Sequence, residues 1–238
     1  MKKAPKHYAI VVAAGSGERY GGNTPKQYVV MGGKPLVDFV LETLQASPLV
    51  DEIYILAKDG TLDEMKRIVH DYRISKTKAI LAGGSSRSES VMIALSYIKK
   101  LGVGKDDLVA ICDGDRPNQT EKMLEEGFYH ADKIGAAVVA VPASDSIIYS
   151  DYGDYVNEYL PRRLIYCAQT PQVFRFSLIY KAHEKAEGNP KFEGYTDDAS
   201  LIYAMKKKVK IIEGSPDNFK INTRRDGISF SYAKEEMK

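Results

Sequence analysis

Six short apolar runs, separated by longer segments with helical periodicity, constrain the fold of this chain more than any other feature of its sequence. The runs are nearly continuous in apolar residues, which is typical of strands that are buried on both faces of a sheet. They cover residues 8–14, 52–57, 78–82, 108–112, 136–141 and 209–212. Between them apolar residues recur at helical spacing, as Val91, Leu95 and Ile98 do. The pattern predicts an α/β fold: a Rossmann-like, doubly wound, mainly parallel sheet with helices on both faces.

Size, charge and cysteine content narrow the class of protein. The 238 residues are enough for one large core and contain no repeat or linker, so we expect a single domain over 1–238. The 34 basic and 32 acidic side chains are nearly balanced, which argues against nucleic acid as a partner. No apolar run approaches the ~20 residues of a membrane span. Two cysteines, Cys112 and Cys167, make no disulfide framework, and we expect a cytoplasmic protein.

The segment 144–171 interrupts the alternation, because it has no helical period and carries five tyrosines. An insertion of this length in a compact α/β domain is usually functional or forms an interface. We interpret it as a protruding β-hairpin arm rather than a solvated excursion, since the tyrosines would otherwise expose much apolar ring surface. They are Tyr149, Tyr152, Tyr155, Tyr159 and Tyr166.

The loop after the first predicted strand has the composition of a phosphate clamp. Ligands of open parallel sheets bind beyond the carboxyl ends of the strands, and small residues let backbone amides approach phosphate oxygens there. The small residues of this loop are Ala13, Ala14, Gly15, Ser16 and Gly17. Arg19 and Lys26 add two positive charges, which favours a triphosphate site. A dinucleotide-binding loop fits less well, because Tyr20 stands where its third glycine should be.

A second candidate loop, 83–90, follows the third predicted strand and opens a helix. Its serines suit a helix cap, which is the simpler interpretation. Adjacent Gly83 and Gly84 also allow a nucleobase edge to meet the backbone, with Ser90 supplying a side-chain hydrogen bond. The two interpretations stay open on these residues alone.

A third loop, after the fourth predicted strand, places Asp113 and Arg116 on a tight turn. A carboxylate there can hold a divalent cation or ribose hydroxyls, and an arginine can pair with a phosphate. A surface ion pair that caps the next helix is the alternative. Near the other end of the chain Lys220 stands between apolar neighbours, so we expect it to point inward. The scattered histidines suggest neither a metal cluster nor a catalytic triad.

Seven short segments, in this order, resemble the 2-C-methyl-D-erythritol 4-phosphate cytidylyltransferase family, which makes an isoprenoid precursor and includes relatives that make CDP-ribitol. The resemblance covers nearly the whole chain and implies the fold of the nucleotidyltransferases. The segments are Ala13-Ala14-Gly15-Ser16-Gly17-Glu18-Arg19, Pro25-Lys26-Gln27-Tyr28, Gly83-Gly84 with Arg87 and Ser90, Asp113-Gly114-Asp115-Arg116-Pro117, Ala168-Gln169-Thr170-Pro171-Gln172, Thr196-Asp197-Asp198-Ala199-Ser200 and Asn218-Phe219-Lys220.

The resemblance implies transfer of the cytidylyl group of CTP to a polyol phosphate with release of pyrophosphate. The expected acceptor is 2-C-methyl-D-erythritol 4-phosphate, and the alternative is ribitol 5-phosphate. The implied cofactor is Mg²⁺, held mainly by phosphates and water, with Asp113 as the one candidate protein ligand. The implied assembly is a homodimer through the arm. A dinucleotide-dependent reductase and a non-catalytic nucleotide-binding module are the rival classes.

The resemblance also assigns residues to three roles. The catalytic cations are Arg19, Lys26 and Lys220. Nucleotide binding falls to Ala13, Ala14, Gly15, Ser16, Gly17, Gly83, Gly84, Arg87, Ser90 and Asp113. Acceptor binding falls to Arg116, Ser146, Arg162 and Thr196, with Ser146 and Arg162 reaching the site of the partner subunit. Thr196 has a competing role as the cap of a helix over 197–206. Asp115 departs from the family pattern, which usually has a small residue there.

Overall fold

The computed structural model describes residues 5–15, 17, 19–21, 24–192 and 194–236. Its strands are β1 (His7–Ala13), β2 (Val30–Met31), β3 (Lys34–Pro35), β4 (Glu52–Ala57), β5 (Thr77–Ala82), β6 (Leu108–Asp113), β7 (Ala136–Pro142), β8 (Ile147–Tyr149), β9 (Glu158–Leu160), β10 (Tyr166–Arg175) and β11 (Lys210–Glu213). Its α-helices are α1 (Leu36–Ala46), α2 (Leu62–Asp71), α3 (Arg87–Lys100), α4 (Glu121–Ile134), α5 (Phe176–Ala186), α6 (Asp198–Ala204) and α7 (Arg224–Glu236). Short 3-10 helices cover Lys26–Tyr28, Arg162–Leu164 and Pro190–Phe192.

Seven strands form the central sheet, in the order β11-β7-β10-β6-β1-β4-β5. Every neighbouring pair is parallel except those of β10, which runs antiparallel to both β6 and β7. The prediction of a mainly parallel sheet is therefore confirmed. Each of the six apolar runs lies in a sheet strand, with boundaries that differ by at most two residues.

Helices cover both faces of the sheet. Successive strand residues point to opposite sides, so neighbours in one strand pack against different helices. Ala9 of β1 belongs to a core cluster packed against α1, α2 and α4. Its neighbour Ile10 belongs to a second cluster packed against α3, α5 and α6. All six residues of β6 are buried, which explains why the apolar runs lack the alternation of a half-exposed strand. The doubly wound α/β class predicted from the sequence is confirmed.

Helix α6 is not capped by Thr196, the residue that the sequence suggested as its possible cap. Asp197 caps this helix: its Oδ1 accepts a hydrogen bond from the Ser200 backbone amide at 2.9 Å, and the Ser200 hydroxyl contacts the Asp197 backbone amide in return. Thr196 is exposed and is not the cap. A carboxylate is the better cap here because it also interacts favourably with the helix dipole.

The segment 144–171 contains a hairpin and also part of the central sheet. β8 and β9 pair antiparallel, from Ile147 opposite Leu160 to Tyr149 opposite Glu158, and they form a separate two-stranded arm. Residues from Tyr166 onward belong to β10, which pairs with β7 and β6. The arm is thus shorter than the interval assigned from the sequence, whose last six residues lie in the sheet. That strand escaped prediction because it includes buried polar residues, Gln169, Thr170 and Gln172.

None of the helices in the described part of the chain has the length and apolar character of a membrane span.

Candidate active site

The carboxyl ends of β1, β5 and β6 open onto a cavity of about 740 Å³. Along the chain, β1 is followed by β4 and β5 on one side of it and then by β6 on the other side. Ligands of open α/β sheets bind at such a reversal of strand order. The residues that line the cavity include five basic and three acidic side chains. They are Arg19, Lys26, Lys58, Arg87 and Lys220, and Asp59, Asp113 and Asp115.

Lys26 is brought to the cavity by a 3-10 turn that follows Pro25. Gly17 packs against this turn with a φ of +70°, and a Cβ at Gly17 would lie 3.3 Å from the Lys26 backbone nitrogen. The Lys26 Nζ lies 2.6 Å from Asp115 Oδ2 and donates a hydrogen bond to the Ile221 carbonyl at 2.7 Å. The side chain is only 8% exposed, so the ammonium is held by protein groups at the cavity wall.

Lys220 reaches the same cavity from the segment between β11 and α7. Asn218, which is fully buried, anchors this segment by donating from Nδ2 to the Thr170 carbonyl at 2.9 Å. The Ile221 amide donates to the Asp115 carbonyl, also at 2.9 Å. With both flanks held, the side chain of Lys220 points inward, as predicted, and its Nζ lies 3.1 Å from Asp113 Oδ2.

Asp113 lies at the centre of the charged groups, at the carboxyl end of β6. Its Oδ1 accepts a hydrogen bond from Arg87 Nε at 3.0 Å, and its Oδ2 faces Lys220 Nζ and Arg116 Nε, the latter at 3.6 Å. Burial alone would raise the pKa of Asp113, but Arg87, Lys220 and Arg116 together hold it well below its usual range. The carboxylate is therefore charged throughout the physiological pH range and fixes three cations around it.

The loop 83–90 is folded tightly at one wall of the cavity. A Cβ at Gly83 would lie 2.2 Å from Ala14 Cβ, so only glycine fits between this loop and the first one. Ser90 Oγ accepts a hydrogen bond from the Gly84 amide at 3.0 Å and donates one to the Ser86 carbonyl at 2.8 Å. Ser90 is buried, and its hydroxyl holds the loop in shape. Ser86, rather than another serine of the loop, caps α3.

A chain of polar groups that runs from the cavity to the buried Asp198 and His183 had no clear signature in the sequence. Arg87 Nη1 donates to Asp198 Oδ2 at 2.7 Å, and Asp198 Oδ1 lies 2.9 Å from His183 Nε2. Ser88 Oγ lies 3.3 Å from the other ring nitrogen of His183. Burial would raise the pKa of Asp198, but Arg87 and His183 hold it below its usual range. The one available signal was that His183 falls at helical spacing from the apolar Phe176 and Ile179.

Most of the residues assigned from the sequence lie together, and some do not. Eleven of them line the cavity: Ala14, Gly15, Gly17, Arg19, Lys26, Gly83, Gly84, Arg87, Ser90, Asp113 and Lys220. Ala13 is buried beneath it. Arg116 lies behind Asp113 and donates to the Asn218 carbonyl at 2.9 Å. Ser146, Arg162 and Thr196 are exposed away from the cavity lining, and Ser16 lies outside the described residues.

The sequence matches the family model of 2-C-methyl-D-erythritol 4-phosphate cytidylyltransferase over residues 7–233. The chain belongs to this family. Among curated members, the enzyme of Halalkalibacterium halodurans is 39% identical over 220 residues, which cover 92% of this chain and 93% of that protein. The enzyme of Clostridium acetobutylicum is 37% identical over 221 residues, with the same coverage.

Solved structures of 2-C-methyl-D-erythritol 4-phosphate cytidylyltransferases share the fold. The 4-diphosphocytidyl-2C-methyl-D-erythritol synthase of Anaerococcus prevotii superimposes with a TM-score of 0.82 at 27% identity, covering 97% of this chain and 96% of its own. The Francisella tularensis cytidylyltransferase superimposes with a TM-score of 0.80, also at 27% identity, covering 97% and 99%. The family resemblance inferred from seven short segments is thus confirmed over nearly the whole chain.

Proposed function

We propose that this protein transfers the cytidylyl group of CTP to 2-C-methyl-D-erythritol 4-phosphate. Membership of the cytidylyltransferase family supports the activity. The single structural observation that carries the proposal is the convergence of Arg19, Lys26 and Lys220 on one cavity at the switch point of the sheet. These cations come from two loops that are far apart in the sequence, so their convergence is a property of the fold.

The reaction brings two anions together. An oxygen of the acceptor phosphate attacks the α-phosphorus of CTP, a P–O bond forms, and the bond from the α-phosphorus to the bridging oxygen breaks as pyrophosphate leaves. The main catalytic task is to neutralise charge in the five-coordinate transition state. Lys26 and Lys220 are suited to this task because protein contacts hold both ammonium groups at the cavity wall before substrate arrives.

No general base is needed in this scheme, since a phosphate dianion is already a nucleophile at neutral pH. The buried His183 therefore has a structural role: it contacts the Asp198 carboxylate, which accepts a hydrogen bond from Arg87. Arg87 in turn fixes Asp113, so the network keeps the floor of the cavity rigid. The loops at Gly15 and Gly83 are proposed to hold the triphosphate and the cytosine.

Mg²⁺ is the proposed cofactor, and the oxygens at the cavity floor fit a hard cation. Asp113 offers a charged carboxylate there, and the Oδ1 of Asp115 is buried, makes no hydrogen bond with the described residues and lies 3.5 Å from the Lys220 ammonium. Among the described residues there is no group of three or more histidine, cysteine, aspartate or glutamate side chains that could hold a metal ion. When bound, the ion would neutralise phosphate charge and orient the triphosphate.

The arm is proposed to join two copies of the chain, with Ser146 and Arg162 reaching the acceptor phosphate in the partner's site. Arg162 donates from Nη1 to the Ser144 carbonyl at 2.8 Å, which ties the guanidinium to the base of the arm. Arg116 and Thr196 would complete the acceptor site. A cytoplasmic location is proposed because Cys112 and Cys167 are both free thiols.

Pyrophosphate release with Mg²⁺ present tests the activity. We expect release with CTP and 2-C-methyl-D-erythritol 4-phosphate, and at least tenfold slower release when ATP, GTP or UTP replaces CTP. Ribitol 5-phosphate serves as the competing acceptor. Faster turnover with ribitol 5-phosphate would overturn the acceptor assignment, and CTP binding without pyrophosphate release from any polyol phosphate would overturn the activity.

A further inference from the structure

Three consecutive residues near the end of the chain supply or hold all three of the proposed catalytic cations. Lys220 is itself one of them, and the Ile221 carbonyl accepts a hydrogen bond from Lys26 Nζ at 2.7 Å. Asn222, which the sequence did not single out, lines the same cavity, and its Oδ1 accepts a hydrogen bond from Arg19 Nη2 at 3.3 Å. This short segment thus links the first loop to the closing part of the chain at the cavity.

The Asn222 amide is held in one orientation by the start of α7. The Asp226 carboxylate accepts hydrogen bonds from the backbone amides of Asn222 and Thr223, at 2.9 and 2.7 Å. The Asn222 Nδ2 donates to the Lys220 carbonyl at 3.4 Å, which leaves Oδ1 to face Arg19. Asn222 is therefore fixed before any ligand binds, and it offers an acceptor atom at a defined place.

Arg19 needs such an anchor more than the other two cations do. Arg19 is exposed, and within the described part of the chain its guanidinium forms no ion pair with a carboxylate, whereas Lys26 and Lys220 are each paired with an aspartate. A long, flexible side chain loses much conformational freedom when a ligand fixes it. The contact with Asn222 removes part of this freedom in advance.

We infer that Asn222 is a positioning residue that holds the Arg19 guanidinium at the cavity before the nucleotide arrives. It acts through Arg19 and need not touch the substrate. The inference rests on the proposed function, since it assumes that Arg19 binds the triphosphate of CTP. Arg19 meets the triphosphate in the ground state and in the transition state alike, so the loss of Asn222 raises KM and leaves kcat nearly unchanged.

The ammonium groups of the two lysines are positioned by other contacts. Lys220 Nζ lies 3.1 Å from Asp113 Oδ2, and Lys26 Nζ lies 2.6 Å from Asp115 Oδ2. Truncating the amide side chain therefore frees the arginine alone and leaves both ammonium groups in place.

Steady-state pyrophosphate release with CTP, 2-C-methyl-D-erythritol 4-phosphate and Mg²⁺ tests the inference on Asn222→Ala. We expect KM for CTP to rise by about threefold or more, the cost of ordering one long side chain on binding, and kcat to change by less than about twofold. Titration calorimetry with CTP should show the same loss of affinity.

Asn118→Ala is the matched control. Asn118 Nδ2 also ties the closing part of the chain to the rest of the fold, by a hydrogen bond to the Asp217 carbonyl at 2.9 Å. Among the described residues, however, Asn118 is not part of the cavity lining. This variant should keep the wild-type KM and kcat.

A second background shows whether Asn222 acts through Arg19. In Arg19→Ala the guanidinium is gone, so adding Asn222→Ala should change kcat/KM by less than about twofold. The linear range of CTP concentration gives this ratio even when the variant does not saturate. A role in holding the backbone of the segment would instead lower kcat in both backgrounds, because Lys220 belongs to the same segment.

Each outcome decides the inference. A rise in KM with kcat retained, absent in the Arg19→Ala background, supports it. An unchanged KM, a loss of kcat beyond the stated bound, or a loss that persists without Arg19 overturns it. If thermal unfolding shows that Asn222→Ala does not fold, Asn222→Ser, whose hydroxyl is too short to reach Arg19, takes its place with the same expectations. Failure of both variants to fold indicates a structural role and overturns the inference as well. A wild-type enzyme that releases no pyrophosphate contradicts the proposed function instead.

Discussion

Lys26 is the residue whose loss should be most damaging to turnover. Its ammonium is preorganised by Asp115 and the Ile221 carbonyl and lies at the cavity wall. By analogy with the removal of one preorganised donor, Lys26→Ala should lower kcat by about 10²-fold or more. Steady-state pyrophosphate release measures this effect. Lys66→Ala, which removes a surface lysine from an exposed ion pair, is the control and should keep wild-type turnover.

Turnover of Lys26→Ala within a few-fold of wild type, with an unchanged CTP affinity, would remove Lys26 from the proposed charge-neutralising set. A loss confined to KM would instead indicate that Lys26 binds ground state and transition state equally. The two parameters therefore have to be measured separately.

For single residues, the sequence predicted the type of side chain at the site better than it predicted the contacts of that side chain. Lys220 was expected to point inward because apolar residues flank it, and Phe219 and Ile221 do pack into a core cluster on either side of it. The family resemblance assigns Ser90 to nucleobase binding, and the fold adds hydrogen bonds from its hydroxyl within its own loop that the sequence did not predict. A serine's hydrogen-bond partner depends on tertiary placement, which no local pattern encodes. The Asp115–Lys26 pair was likewise invisible, because its members are far apart in the chain.

The first turn of α1 contains another buried carboxylate, Asp38, whose ionisation affects stability. Asp38 is fully buried, and Lys34 Nζ lies 3.4 Å from its Oδ2. Burial raises the pKa of Asp38 to about 7, with Glu42 acting in the same direction and Lys34 against it. The usual pKa of an unfolded aspartate is about 3.9, so the folded state binds the extra proton between these values. The ionisation of Asp38 therefore lowers the free energy of unfolding as pH rises from about 4 through 7.

Asp38→Asn should remove this loss. We expect the variant to have a higher free energy of unfolding than wild type at pH 8, by about 1 kcal/mol or more, and a Tm higher by about 2 °C or more. The advantage should vanish near pH 4, where the wild-type carboxyl is protonated in the fold. Urea unfolding at the two pH values measures it. Asp63→Asn, at the exposed start of α2, is the control. A variant that is less stable at pH 8 would contradict the prediction.

Strands made almost entirely of apolar residues were predictable from the sequence. The strand β10, which mixes apolar with buried polar residues, was not. The inner parallel strands β1, β4, β6 and β7 are apolar because helices cover both sheet faces, so their composition located them. β10 is different: it enters from the arm and carries Gln169 and Gln172 into the interior. Those amides are satisfied by other segments, since Gln172 Nε2 donates to Asp197 Oδ2 at 2.7 Å and Gln169 Nε2 to the Ser215 carbonyl at 2.9 Å. Such compensation appears only in the folded chain.

For the whole molecule, the near balance of charge conceals an uneven distribution. The chain carries a formal net charge of +2, yet among the residues that the structure describes, five of the eight charged side chains that line the cavity are basic. A concave site with this excess attracts polyanions while the rest of the surface stays nearly neutral. Raising the salt concentration should therefore weaken CTP binding more through the association rate than through dissociation, which stopped-flow measurements at two ionic strengths can separate.

The arm carries exposed aromatic rings, which are unfavourable on the surface of a monomer. Tyr152, Tyr155 and Tyr159 are 91%, 85% and 70% exposed, and they project from a two-stranded hairpin outside the central sheet. Clustered exposed rings of this kind mark protein–protein contacts. We expect wild type to sediment as a dimer and the triple variant Tyr152→Ser, Tyr155→Ser, Tyr159→Ser as a monomer with little change in Tm, because these side chains lie outside the core. Tyr203→Ser, which removes an equally exposed ring from α6, should remain dimeric. An unchanged sedimentation coefficient for the triple variant would assign dimerisation, if it occurs, to another surface and would leave Arg162 without a route to a second site.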